Sequence, residues 1–212
     1  MENGIKIINR VGKGLSVRTE NTGGGIRVIV EFPETRVKLS ALKAGDTFRA
    51  DGVRYTVLEH FGNGRTAVIR EEVLAESMPF SSGSNDWKKS RIRERLNGEY
   101  LKGLEETFGE MNIVSHAVNL TSLDGLGDYG KSTDRVSLLT LDQYRRYRVF
   151  MKACPDCFWW LVTPDSTPSG LGSNDMLHVG PAGDVGCEIC LGSMYVRPYF
   201  VLWSSVLVSW DD

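Results

Sequence analysis

Apolar and polar residues alternate in short runs over most of the chain, and only two stretches repeat at helical spacing. Ile5, Ile7 and Ile8 suggest a short strand, followed by the polar, turn-rich GKGLSVRTENTGGG, where Gly23, Gly24 and Gly25 form a hinge or hairpin turn. IRVIVEF alternates β-branched residues and predicts a strand that Pro33 ends. TFRA, VRYTVLEHF and RTAVIREEV predict three antiparallel strands, and Asn63-Gly64 is the strongest hairpin signal in the chain. IVSHAVNLTS reads as a strand and DGLGDYGKSTDR as a loop. Towards the end, FWWLVTP reads as a strand, DSTPSGLGSND as a long polar loop and MLHVGPAGDVG as a hairpin with GPAGD at its tip. Two apolar strands close the chain.

Trp87, Ile92, Leu96, Tyr100 and Leu104 recur on roughly one helical face, with Ser84 or Asn85 available to cap the start and Gly109 to stop it. Asn97-Gly98 interrupts this run and suggests two helices. A further helix is expected from about Asp142, capped by Thr140. The pattern predicts an α+β fold: antiparallel β-sheets with two or three helices. It divides into an N-terminal β extension, residues 1–38, and an α+β domain, residues 39–212, that ends in a cysteine-containing β/loop region at 153–212.

With 212 residues, 41% of them hydrophobic, the chain can bury an ordinary globular core. A formal net charge of −2 argues against a general nucleic-acid binder. No apolar run is long enough to span a membrane, and MENGIKIINR lacks the apolar core of a signal peptide. Charge is nevertheless uneven. Residues 153–212 hold one cation, Arg197, against Asp156, Asp165, Asp175, Asp184, Glu188, Asp211 and Asp212, which leaves this region at −6 and residues 1–152 at +4.

All 4 cysteines fall in that acidic region, as Cys154-Pro-Asp-Cys157 and Cys187-Glu-Ile-Cys190. Two C-x-x-C pairs supply what a tetrahedral, structural zinc site needs, and zinc-stapled loops are the leading expectation. The longer gap between the pairs requires tertiary structure to bring them together. Disulfides, a redox pair, and plain buried thiols are the competing readings, and His178 is an alternative ligand. His60 and His116 lie in expected strands and read as structural.

No nucleophile elbow, phosphate loop or dinucleotide fingerprint occurs. The basic groups Lys88, Lys89, Arg91, Arg93 and Arg95, and Arg145, Arg146, Arg148 and Lys152, read as solvated helix faces paired with Glu94, Glu99 and Asp142, with a phosphate-contacting patch as the sharper reading. Phe158, Trp159, Trp160, Tyr195, Tyr199, Phe200, Trp203 and Trp210 crowd the C-terminal region, where any that face solvent would form a recognition surface. The expected partner-binding residues are Asp165, Asp175, Asp184, Glu188 and Trp203, around loops 165–186.

Four motifs, taken in order, resemble an uncharacterised bacterial and phage domain family with WWL(R/A)(S/T)P and GVRP signatures. They are Leu96-Asn97-Gly98-Glu99-Tyr100, Arg135-Val136-Ser137-Leu138-Leu139-Thr140, Trp159-Trp160-Leu161-Val162-Thr163-Pro164 and Tyr195-Val196-Arg197-Pro198. Tyr195 replaces the glycine of the last signature, and the C-x-x-C pairs are outside the family pattern. The resemblance implies a C-type lectin-like C-terminal half and a non-catalytic phage or prophage binding protein, acting on a protein partner in the cytoplasm of a bacterial host. Its narrower forms are an inhibitor of a host defence nuclease, of the anti-CRISPR kind, that blocks target-DNA loading, and a surface or tail receptor-binding module. A C-x-x-C redox enzyme or a hydrolase is the rival of a different class.

Overall fold

A computed structural model describes residues 16–31 and 36–210, so the strand expected at Ile5–Ile8 lies outside the described residues. The chain divides into two compact units, residues 1–36 and 37–212. In the first, Ser16–Thr22 pairs antiparallel with Gly25–Glu31, and Thr22 faces Gly25 across the two-residue turn Gly23-Gly24. SVRTENT, expected as polar turn, is thus a strand: pairing with an apolar β-branched partner outweighs its own weak pattern.

The second unit is mixed α+β with mostly antiparallel sheets and two helices. Its main sheet runs Val136–Ser137, Tyr199–Trp203, Arg65–Arg70, Val53–Phe61, Thr47–Ala50, Leu207–Trp210 and Arg36–Lys38, with Ile113–Val114 also paired to Tyr199–Trp203. Two turns show why it folds this way. Asp51 and Gly52, at φ 48° and 73°, form a two-residue turn that places Ala50 opposite Val53. Gly64, at φ 77°, closes the Gly62-Asn63-Gly64 loop between Phe61 and Arg65.

A second sheet orders Trp159–Pro164, Asp175–Val179 and Val185–Ile189, all antiparallel. Lys131–Asp134, inside the segment expected as a loop, pairs instead with His116–Asn119. Its polar sequence hides the alternation: Ser132 and Asp134 point inward and are satisfied by hydrogen bonds, not by apolar contact.

The first helix begins later than expected. Asp86 caps a single turn at Trp87–Lys89, and Ser90 accepts from the Arg93 amide to cap Arg91–Arg95. Asn97-Gly98 does not break it. The helix widens to a π turn over Leu96–Tyr100 and continues through Leu101–Phe108 to Gly109, whose φ of 83° ends it. The second helix, Leu141–Tyr147, carries a full capping box from Thr140 and Gln143.

The residues that carry the family resemblance are internal struts. Asn97 donates to the Arg93 and Val136 carbonyls and accepts from the Arg135 and Val136 amides, pinning the helix to the strand beside it. Trp160 is fully buried, with its Nε1 on the Met78 carbonyl. Arg197 is only 2% exposed, and its guanidinium donates to three backbone carbonyls, Arg70, Glu71 and Lys152, while lying 5.5 Å from the Trp159 ring centre. Burial lowers Arg197 to about 10, so it stays charged at neutral pH. Alternate residues of Trp159–Pro164 feed two apolar clusters: Trp160 and Val162 pack with Trp87 and Phe200, and Trp159 and Leu161 with Tyr144 and Val201. Burying each such side chain is worth ~1.5–3 kcal/mol.

His116 follows the structural reading. Its Nε2 meets the Ser137 hydroxyl at 2.9 Å, and its ring packs edge-on to Tyr199. Burial lowers it to about 4 against the pull of the nearby Asp134 carboxylate. Below its ordinary value near 6.5, the unfolded ring takes a proton that the folded ring refuses, so stability falls as pH drops from about 6.5 towards 4. Urea unfolding at pH 5 is expected to lose about 1–2 kcal/mol relative to pH 7 through this group. His116→Gln should remove most of that slope; an unchanged slope would assign it elsewhere.

Candidate functional site

The four cysteines stand in two places. Cys154 and Cys157 are bonded to each other as a disulfide, whereas Cys187 is an exposed thiol and Cys190 a buried one. The strand register explains the separation. Trp159 is level with Val179 and Val185. Cys154 and Cys157 lie in the turn before that level, while Cys187 stands two residues beyond it on the outer strand and Cys190 just past that strand's end. Cys157 belongs to the cluster around Trp159, and Cys190 to the one around Trp160. Among the described residues no group of three or more His, Cys, Asp or Glu side chains is placed to hold a metal ion. Burial raises the Cys190 thiol to about 12. In this arrangement the four sulfurs do not converge on one tetrahedral site. The His178 ring is buried instead under Gly186, where a Cβ would come within 2.9 Å of it.

What the structure does assemble is an edge. Val185–Ile189 is the outer strand of the three-stranded sheet, and no strand covers its far side among the described residues. Val185, Ile189 and Leu191 are 41%, 50% and 59% exposed, and with exposed Cys187 they recur at every second position. An apolar stripe along an unpaired strand is what a protein without a partner for it avoids.

Three of the expected acids gather at that stripe. Asp175 is directly across from Ile189, and the Asp165 amide donates to the Asp175 carbonyl. Burial and then the charges of Asp165, Asp175 and Glu188 push the Cys187 thiol up. Asp184 sits in the connection below, against Gly180. No exposed cation of residues 153–210 offsets them, because Arg197 is fully occupied inside.

Loop 165–174 is firmly tied. Asn85, almost wholly buried, donates to the Ser166 and Asp175 carbonyls and accepts from the Tyr129 hydroxyl. Asp124 accepts from the Ser122 and Ser166 hydroxyls and Asp128 from the Ser169 amide, and these bonds hold both carboxyls below the usual range. The loop thus supports Asp165 and Asp175 as a fixed frame.

Other expected residues lie elsewhere. Trp203, 40% exposed, pairs with Arg65 on the main sheet and is not part of this edge. The basic residues are largely matched: Arg93 to Asp134, Arg95 to Glu76, Lys89 to Asp86, Arg146 to Glu59 and Lys152 to Glu71. Only Asp142, which meets Arg145, was among the expected partners; Asp86 caps the turn that holds Lys89, and the others come from distant parts of the chain. His60 is held by the Leu42 carbonyl and Thr66 hydroxyl.

Comparison with family models, with curated proteins and with solved structures finds no match to this chain. The resemblance therefore rests on its four motifs, and function must be argued from geometry. The sequence carries a signal for the edge: V-G-C-E-I-C-L has the period-2 apolar pattern of a half-exposed strand.

Proposed function

We propose that the protein is a non-catalytic binding protein that accepts a basic, extended segment of a partner protein along Val185–Ile189. The observation that carries this reading is the unpaired strand, with Val185, Cys187, Ile189 and Leu191 outward and Asp165, Asp175 and Glu188 beside it. Strand addition would satisfy the open backbone groups, apolar side chains of the segment would cover the stripe, and its lysines or arginines would answer the acids. A C-type lectin-like C-terminal half, presenting this sheet with its anchored loop, agrees with the antiparallel order of 159–189. In a phage or prophage setting the acids would engage the basic nucleic-acid channel of a host nuclease. A receptor-binding module would use the same edge with a surface protein. Zinc on Cys154, Cys157, Cys187 and Cys190 would require the Cys154–Cys157 disulfide to open and the two pairs to approach each other along the sheet.

The test uses a short fluorescent peptide alternating lysine with valine. Binding is expected to weaken with added salt and to fall about tenfold in Asp175→Lys/Glu188→Lys, since two favourable charges become repulsive. Equal binding by wild type and variant, or none at low salt, would overturn the reading.

A further inference from the structure

The disulfide Cys154–Cys157 encloses only Pro155 and Asp156. A loop this short gains little from closure, because the constraint on the unfolded chain grows with the length enclosed. Inside it, Asp156 stands at φ 67°. Aspartate tolerates that left-handed conformation better than most residues, yet it still costs energy. Asp51 uses a similar φ to turn between two paired strands, whereas Asp156 joins no hairpin. A small gain set against local strain is the mark of a bond that exchanges, not of one that braces the fold.

The two sulfurs differ in access. Cys157 is buried with Trp159 and Tyr144, and its Sγ lies 3.5 Å from the Cys154 carbonyl, so a thiol formed there already has an acceptor. Cys154 is half-buried and borders two hollows. The larger, about 480 Å³, also touches Cys157 and sets Glu71, Glu72 and Asp156 against Lys152. The smaller, about 140 Å³, reaches Cys154 but not Cys157, and its lining holds Arg148, Lys152 and Arg197 and no carboxylate. Lys152 is shared with Glu71 at 3.5 Å and Arg197 is spent on backbone carbonyls, which leaves Arg148. Its guanidinium lies 5.7 Å from the Tyr144 ring centre, beside Gly183, while Asp184 in the same turn is outside the lining. A thiolate attacks a disulfide sulfur from the side away from the departing one. The hollow that borders Cys154 alone offers that approach to an anion, and the acids of the other repel it.

We propose that Cys154–Cys157 is a thiol–disulfide exchange site that oxidises a small anionic thiol. The thiolate attacks the Cys154 Sγ, the S–S bond breaks, and Cys157 leaves as a thiolate that takes a proton from water. A second molecule of the thiol, as its thiolate, attacks the small-molecule sulfur of the mixed disulfide and releases Cys154, which is protonated in turn. Two thiols thus become one small disulfide, and the protein disulfide becomes two thiols. This site is independent of the Val185–Ile189 edge.

The test is reduction of the folded full chain by excess 3-mercaptopropanoate and by excess cysteamine, an anionic and a cationic thiol, with rates compared per thiolate at low salt. Differential alkylation and mass spectrometry read Cys154 and Cys157 separately from Cys187 and Cys190. The expected result is reduction without unfolding, about tenfold faster with 3-mercaptopropanoate, a gap that added salt narrows. Arg148→Ala should slow 3-mercaptopropanoate about threefold more than it slows cysteamine. In Cys157→Ser, the oxidised dimer of 3-mercaptopropanoate should form its mixed disulfide at Cys154. A disulfide that yields to neither thiol until urea unfolds the chain, or equal or reversed rates per thiolate in wild type, would overturn the proposal.

Discussion

Arg197→Met is expected to leave a chain that fails to reach the native fold at 37 °C. The guanidinium binds the carbonyls of Arg70, Glu71 and Lys152 at 3.0, 2.6 and 3.1 Å. It thereby ties the end of one main-sheet strand to the segment that follows the second helix. Methionine restores volume but leaves those carbonyls facing an apolar side chain. Charge-assisted bonds are worth ~1.5–3 kcal/mol each and a stranded buried carbonyl costs ~1–3, so the sum approaches the whole stability of a typical domain, ~5–15 kcal/mol. Arg197→Lys should retain part of this, because an ammonium cannot span the fork and loses the flat contact with Trp159. Urea unfolding followed by fluorescence checks both. A cooperative transition for Arg197→Met within about 1 kcal/mol of wild type would show that the carbonyls find other donors.

Asp134→Ala is the second large loss, expected at about 3–5 kcal/mol. The carboxylate is nearly fully buried and accepts from Trp87 Nε1 at 2.8 Å, the Ser132 hydroxyl at 2.5 Å and Arg93 Nε at 2.7 Å. Its removal strands an indole N–H deep in the core and a guanidinium that is already partly desolvated. Asp134→Asn should cost less, since one amide oxygen still accepts while its NH2 faces donors. Denaturation midpoints rank the variants, and Trp87 emission in Asp134→Ala should move to longer wavelength before global unfolding. A loss below about 1 kcal/mol would mean that water replaces the carboxylate at each donor.

Strand periodicity over 47–70 and 159–189, the Thr140 cap and the Gly109 stop were legible because each depends on residues adjacent in sequence. What escaped depends on distant partners. Asn97-Gly98 looks like a helix break, and only the Arg135–Val136 backbone, which Asn97 binds, shows why the helix widens and continues. Ser132 and Asp134 form an inward strand face that no apolar pattern announces. Nearness in sequence pairs Arg93 and Arg95 with Glu94 and Glu99, whereas their actual partners Asp134 and Glu76 lie far off in the chain. For the candidate site, the acids were legible as a charge imbalance, while Trp203 was grouped with them only by nearness in sequence. The two C-x-x-C pairs have zinc-like spacing, but Cys154 and Cys157 are bonded to each other and register sets Cys187 mid-strand, opposite Leu177.

Recognition on an open strand can be observed amide by amide. The decisive measurement is backbone hydrogen exchange of the full chain with and without the alternating lysine–valine peptide at low salt. Strand addition predicts new protection at alternate amides between Val185 and Ile189, with little change on the main sheet. Protection confined to other surfaces, or a bound peptide that leaves Val185–Ile189 exchanging as before, would contradict it.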